Sequence, residues 1–167
     1  MAIGDDGAVA IAETIKQSTS LTEMDLGVRS FGTIGLSAIA EAVRQSKSMR
    51  KVNLNNNELG DDGAVAIATS IKQSQSLNEV DLSENEIGLV GAVALADATR
   101  QSKSLTILDL SDNPIGEFGA FAIAEAIAQS TSLDTINVTC CNAVGIKGMA
   151  SIIKAISQSK SLTTISI

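Results

Sequence analysis

The chain has 167 residues, no histidine, tyrosine or tryptophan, and 19 acidic against 12 basic side chains, for a net charge of −7. That balance argues against nucleic acid and an anionic membrane surface as partners and favours a basic protein. A general acid–base pair would have to be two carboxylates, and neither the phosphate-binding Gly-Lys-Ser/Thr signature nor a set of metal ligands is present, so no catalytic residue, metal or cofactor is expected.

In chain order, the first element is an alanine-rich segment in which Ala8, Ile11 and Ile15 share one helical face behind Gly4 and Gly7. A short strand with apolar Leu21, Met24 and Leu26 follows, then Phe31, Gly32 and Gly35, and a helix carrying Ile39 and Val43. The same sentence is then repeated. A strand with Met49, Val52 and Leu54 leads through Asn57-Glu58-Leu59-Gly60 to a helix with Ala64, Ile67 and Ile71. A strand with Leu77, Val80 and Leu82 leads through Asn85-Glu86-Ile87-Gly88 to a helix with Ala92 and Leu95. A strand with Leu105, Leu108 and Leu110 leads through Asn113-Pro114-Ile115-Gly116 to a helix with Ala120, Ile123 and Ile127. The fifth strand carries Leu133, Ile136 and Val138, its loop Val144 and Gly145, and its helix Ile152 and Ile156. Leu162, Ile165 and Ile167 form a strand remnant.

Numbering Leu21 as position 1, the units recur at 28 residues, with 29 in the last. A fixed period of this length means one supersecondary unit stacked on copies of itself. Glycine stands at position 12 throughout (Gly4, Gly32, Gly60, Gly88, Gly116, Gly145), where positive φ is the expected reason. It stands again three residues on, where helices approach closely. Asp5, Asp6, Asp61, Asp62 and Glu117 lie at helix starts, where negative charge suits the dipole. Glu13 with Lys16, Glu41 with Arg44, and Asp97 with Arg100 are spaced as ion pairs on solvated helix faces.

The repeat L-x-x-[LIV]-x-L-x-x-N-x-[LI]-G-x-x-G-A-x-A resembles a leucine-rich repeat of the ribonuclease-inhibitor type. The resemblance covers a partial repeat at 1–20, full repeats at 21–48, 49–76, 77–104, 105–132 and 133–161, and the strand remnant at 162–167, together one domain over 1–167. It implies an α/β solenoid, a horseshoe with a parallel sheet on the concave face and helices on the convex face. It also implies that Asn57, Asn85 and Asn113 bond loop backbone in a ladder. Arg29 departs from that column in the first full repeat. In the fifth, an inserted residue leaves either Cys141 or Asn142 to fill it.

The concave face is where a partner is expected. Its position-3 row includes Glu23, Lys51 and Glu79, its position-5 row Asp25, Asn53, Asp81, Asp109 and Asn137, and its position-8 row Glu84 and Asp112. Strands lie ~4.8 Å apart, so Asp81 and Asp109 should be lateral neighbours whose repulsion a basic partner would relieve. Calcium there would need six or more oxygens. On the convex side Phe118 and Phe121 share a helical face, flanked by Val90 and Val93, either as a contact patch or as filling between helices. Cys140 and Cys141 read as structural. The expected function is a non-enzymatic protein-interaction scaffold or recognition module. The alternative, on resemblance alone, is a regulator similar to the Ran GTPase-activating proteins. With no leader, no bilayer-length apolar run and only two cysteines, the cytoplasm is the expected compartment. No cap seals either terminal unit, so either residues beyond this chain cover the ends or the ends self-associate.

Overall fold

The computed structural model describes residues 3–29 and 31–167. Met1 and Ala2 of the partial repeat, and Ser30, lie outside them. Helices and strands alternate: α1 (Gly4–Gln17), β1 (Glu23–Asp25), α2 (Thr33–Gln45), β2 (Lys51–Asn53), α3 (Gly60–Gln73), β3 (Glu79–Asp81), α4 (Leu89–Gln101), β4 (Ile107–Asp109), α5 (Gly116–Gln129), β5 (Thr135–Asn137), α6 (Gly145–Gln158) and β6 (Thr164–Ser166). The strands form one parallel sheet in the order β1-β2-β3-β4-β5-β6. Its register matches the repeat columns, with Met24 opposite Val52, Val52 opposite Val80, and so on to Ile136 opposite Ile165. Packed helices need about 8–10 Å each and strands only ~4.8 Å, so the array bends with its sheet inside and its helices outside.

The strands are shorter than the apolar pattern suggests. Each is three residues long, beginning two residues after its position-1 leucine or methionine. The flanking apolar columns nevertheless remain in the core: Met49, Leu54, Leu77, Leu82, Leu105 and Leu110 are all buried beneath the helices. From the helical side, Ala8, Ile39, Ile67, Leu95, Ile123 and Ile152 close the same core.

Two polar devices hold the turns. At the strand's C-terminal end the asparagines form a ladder: the Oδ1 of Asn85 accepts from the backbone N–H of Asn57 at 3.0 Å, and that of Asn113 from Asn85 at 3.0 Å. Their Nδ2 groups donate to strand carbonyls of their own and the preceding repeat, as Asn113 does to Leu110 at 3.0 Å and Leu82 at 2.9 Å. Such pairing is what permits a fully buried amide. Cys141, not Asn142, fills the column in the last full repeat, where its thiol donates to the carbonyl of Leu110 at 3.2 Å. At the strand's N-terminal end the serines act. The hydroxyls of Ser18, Ser46, Ser74, Ser102, Ser130 and Ser159 accept from the N–H of the position-1 residue three places on, at 3.0–3.1 Å. The second serine of the Ser-x-Ser pair reaches back one repeat, Ser48 to the carbonyl of Leu21 and Ser104 to that of Ser74.

The glycine column does not have one explanation. Gly4, Gly60, Gly116 and Gly145 have positive φ as expected, but Gly32 and Gly88 are extended. At these two the reason is space. A Cβ on Gly32 would sit 2.6 Å from a carboxylate oxygen of Asp5, and one on Gly88 would sit 3.2 Å from Asp61. Those aspartates also do more than complement the dipole of their own helix. Asp5 Oδ1 accepts from Gly35 N–H at 2.8 Å, and Asp61 Oδ1 from both Gly88 and Gly91 N–H at 2.8 Å, so each caps the next helix. Asp5 thereby ties α1 to α2, and Asp61 ties α3 to α4.

Candidate functional site

The concave rows fall where their columns place them. Asp81 and Asp109 are direct partners across β3 and β4, both half-buried, with Asn53 and Asn137 continuing the row and the exposed Asp25 at its end. Each also closes its own turn. Asp81 Oδ1 accepts from the N–H and hydroxyl of Ser83 at 3.0 and 2.7 Å, and Asp109 Oδ1 from those of Ser111 at 2.9 and 2.6 Å. Asp109 Oδ2 takes a further bond from Asn137 Nδ2 at 2.9 Å. Asp81 Oδ2 has no hydrogen-bond donor among the described residues.

One row above, Lys51 pairs with Glu79 at 2.6 Å, and that bond, with the nearby charges of Glu79, Glu23 and Asp81, raises its pKa. Glu79 is thereby neutralised, whereas the exposed Glu23 is bonded to no lysine or arginine among the described residues. Glu84 accepts from Asn56 Nδ2 at 3.0 Å, and Asp112 is exposed beside it on the next turn. The acidic surface also extends further than the concave rows suggest. Glu58 and Glu86, with Asn56, Glu84, Asp112, Pro114 and Asn142, line one open depression along the loop edge. Their signal was present in the Asn-Glu-Leu-Gly and Asn-Glu-Ile-Gly motifs, whose glutamates sit at positive φ and so point away from the core.

On the convex side, Phe118 and Phe121 make an edge-to-face pair, ring centroids 5.8 Å apart at 86°. Phe118 at 68%, Val90 at 60% and Val93 at 46% are too exposed to fill the space between helices, while Phe121 is half-buried. Elsewhere that side carries the exposed Ile34, Val9 and Val65 beside solvated ion pairs. Lys16 meets Glu13 at 2.8 Å, Arg100 meets Asp97 at 2.5 Å, and Arg44 pairs with Glu41, whose pKa falls to about 2 through bonds from Arg44 and then Gln45. Both cysteines are free thiols. Cys140 is exposed, and Cys141 is pushed up to about 11, chiefly by burial. Among the described residues, no helix is long and apolar enough to cross a membrane.

A family model described as Leucine Rich repeat matches residues 45–68, 73–96 and 101–124, so the chain contains leucine-rich repeats. No curated protein matches the chain at a significant level. Two solved structures share its fold. The tropomodulin C-terminal domain of Caenorhabditis elegans superposes with a TM-score of 0.76 at 17% identity, over 90% of this chain and 92% of that one. The Leiomodin-1 Actin-Binding Site 2 superposes with a TM-score of 0.75 at 20% identity, over 92% of this chain and 87% of that one. At these identities the likeness is one of fold.

Proposed function

We propose that the chain is a non-enzymatic protein-interaction module whose concave face takes a basic segment of another protein. The observation that carries this reading is the Asp81–Asp109 pair. Two carboxylates occupy adjacent places on the exposed face of the sheet, with Glu23, Asp25, Glu84 and Asp112 in the rows around them and, as cations beside them, Lys51 on β2 and Arg50 just before it. Lysines or arginines of a partner would relieve that repulsion and meet the unused Oδ2 of Asp81. No aromatic lies on the face, so its binding is electrostatic and salt-sensitive. The Phe118–Phe121 patch is the alternative contact surface.

The 28-residue period and the full helix in every repeat support placing the repeats in the ribonuclease-inhibitor-like class. The two free thiols are compatible with a reducing cytoplasm. The superposed part of leiomodin is one of its actin-binding sites, which makes actin a rational probe. No residue arrangement favours GTPase activation: Arg29 is the only arginine that breaks a repeat column, and it is half-buried.

The test is binding of a lysine-rich peptide, and separately of actin filaments, to the native chain and to Asp81→Asn/Asp109→Asn. Loss of two solvent-facing charge contacts should weaken peptide binding by roughly 2- to 30-fold and flatten its salt dependence. Unchanged affinity in the double variant would move the site to Phe118 and Phe121. Stimulated GTP hydrolysis by a small GTPase would overturn the non-enzymatic reading.

A further inference from the structure

We infer that the groove between α4 and α5 on the convex side docks an amphipathic helix of another protein, one whose apolar stripe is bordered by lysine or arginine. This surface is separate from the concave face, and none of its residues lies on a strand.

It starts from a column that the fold leaves free. Position 14, near the start of each helix, is exposed in every repeat, as Asp6, Ile34, Asp62, Val90, Phe118 and Lys147. The core makes no demand there, since acid, lysine and aliphatic side chains all occupy it. Ile34 stands alone between Asp6 and Asp62, whereas Val90 and Phe118 stand on adjacent helices. Leu89 at 45% and Val93 at 46% exposed extend the apolar area along α4, and Phe121 extends it along α5 through its edge-to-face contact with Phe118. Both helices are interior to the array, α4 packed between α3 and α5, and α5 between α4 and α6. The neighbouring repeats are therefore already in place and leave this face open. A contiguous apolar area with a polar rim on such a face marks a contact site.

Its shape is a groove between two helices. Val90, Val93 and Asp97 on α4, and Phe118, Phe121 and Glu125 on α5, both follow the i, i+3, i+7 spacing, so each row runs along its helix for about 10 Å. The helices touch near their starts, where a Cβ on Gly119 would lie 3.1 Å from Ala92 Cβ. Between the rows the floor is made by Ala96, Ala122 and Ala126, with Val93 and Glu125 among the walls. Small residues below two raised rows admit a third helix, which enters such a groove with its own i, i+3, i+4 and i+7 side chains.

Charge selects the partner. Asp62 beside Val90, Glu86 three residues before Leu89, and Glu125 at the end of the Phe118 row are all exposed, and none is paired with lysine or arginine among the described residues. At the far end Lys72 and Arg100 are both held by Asp97. Lys147 borders Phe118 from α6, so the unpaired rim is net acidic. A second copy would bring this rim against itself, whereas lysines or arginines flanking an apolar stripe would meet Asp62, Glu86 and Glu125.

Fluorescence anisotropy tests this with a helical peptide of about 18 residues, long enough to form in water, with leucine on one stripe, lysine on both borders and glutamine elsewhere. A peptide of the same composition in scrambled order is the control. The native chain should bind the patterned peptide at least about tenfold more tightly than the control, because only the patterned one presents its leucines together. Phe118→Asp, at an exposed position, should weaken that binding by about tenfold or more even though it adds a negative charge for the lysines. Glu125→Gln should weaken it roughly 2- to 5-fold and reduce its salt dependence. Equal binding of the two peptides, or unchanged binding by Phe118→Asp, overturns the proposal. So does dimerisation of the native chain that Phe118→Asp abolishes, which would make a second copy the occupant, or Phe118-dependent binding to phosphatidylcholine vesicles, which would make it a lipid surface. Asp81→Asn/Asp109→Asn should leave the affinity for the patterned peptide unchanged, so this face and the concave face stand or fall separately.

Discussion

The carboxylate of Asp61 lies 2.8 Å from the backbone N–H of Gly91, thirty residues and one helix away, and spans the gap between α3 and α4. It stands in for the side-chain cap that α4 lacks at its own N-cap, Gly88. Asp61→Ala should therefore cost about 1–2 kcal/mol, the usual value of a helix cap, although Asp61 is not in the helix it caps. Asp61→Asn keeps an acceptor and should lose less. Gly91→Ala should lose more, because the new Cβ would meet Ala64 Cβ and Ile87 Cγ2 at 2.7 Å each. Urea unfolding of the three variants checks the ranking.

Asn85 is fully buried, donates to the carbonyls of Leu54 and Ser83, and accepts from the N–H groups of Asn57 and Leu59. Asn85→Ala leaves those groups unmatched away from water, for an expected loss of about 3 kcal/mol. Asn85→Asp should be pH-dependent. Two carbonyls would face its carboxyl and raise its folded pKa, so the variant should be closer to native stability near pH 4 and lose ground as pH rises through that raised value. Equal deficits at pH 4 and pH 7 would contradict this account of the ladder.

Most of this architecture was legible because a repeat presents each structural decision several times. Met24, Val52, Val80, Leu108, Ile136 and Ile165 form a column whatever the local propensity, and the strand register follows from it. What escaped was the chemistry that differs between alternate repeats. A 28-residue column merges Gly32 with Gly60, yet one is extended against the Asp5 carboxylate and the other left-handed, with Thr33 at the place of Asp5. The signal was the alternation itself, Asp5-Asp6 and Asp61-Asp62 against Thr33-Ile34 and Leu89-Val90, visible at twice the period. At the candidate site the lateral adjacency of Asp81 and Asp109 follows from register, but the diversion of each Oδ1 into a turn with Ser83 and Ser111 does not, since a strand-end aspartate has both options.

The adjacent cysteines should behave as different chemical species. Burial, with the neighbouring carboxylates, holds the Cys141 thiol protonated up to about pH 11, while Cys140 is exposed. At pH 8 iodoacetamide should label one thiol per native chain quickly and the second only on unfolding. Because the folded pKa of Cys141 lies above the ordinary thiol value of 9.0, its contribution to stability is present below about pH 9 and lost as pH rises to about 11. Cys141→Ala should remove that part of the alkaline decline, and mass spectrometry of the labelled chain identifies which thiol reacted first.

Val28 sits at φ 58° with 61% of its surface exposed. Its counterparts Asn56, Glu84, Asp112 and Cys140 share the left-handed turn, at φ 54° to 56°, but only Val28 is β-branched. Branching at Cβ crowds the carbonyl in this region, and the left-handed conformation costs L-residues about 1–2 kcal/mol, least for asparagine. The backbone N–H of Val28 donates to Asn55 O at 2.9 Å, so the turn is held by pairing to the next repeat rather than by the residue's own preference. Val28→Asn should therefore stabilise the chain by about 1 kcal/mol, since it exposes less apolar surface and relieves the crowding without disturbing that bond. Val28→Ile should be neutral or worse. Thermal unfolding followed by circular dichroism separates the outcomes, and a lower midpoint for Val28→Asn would mean that the valine makes apolar contacts worth more than its strain.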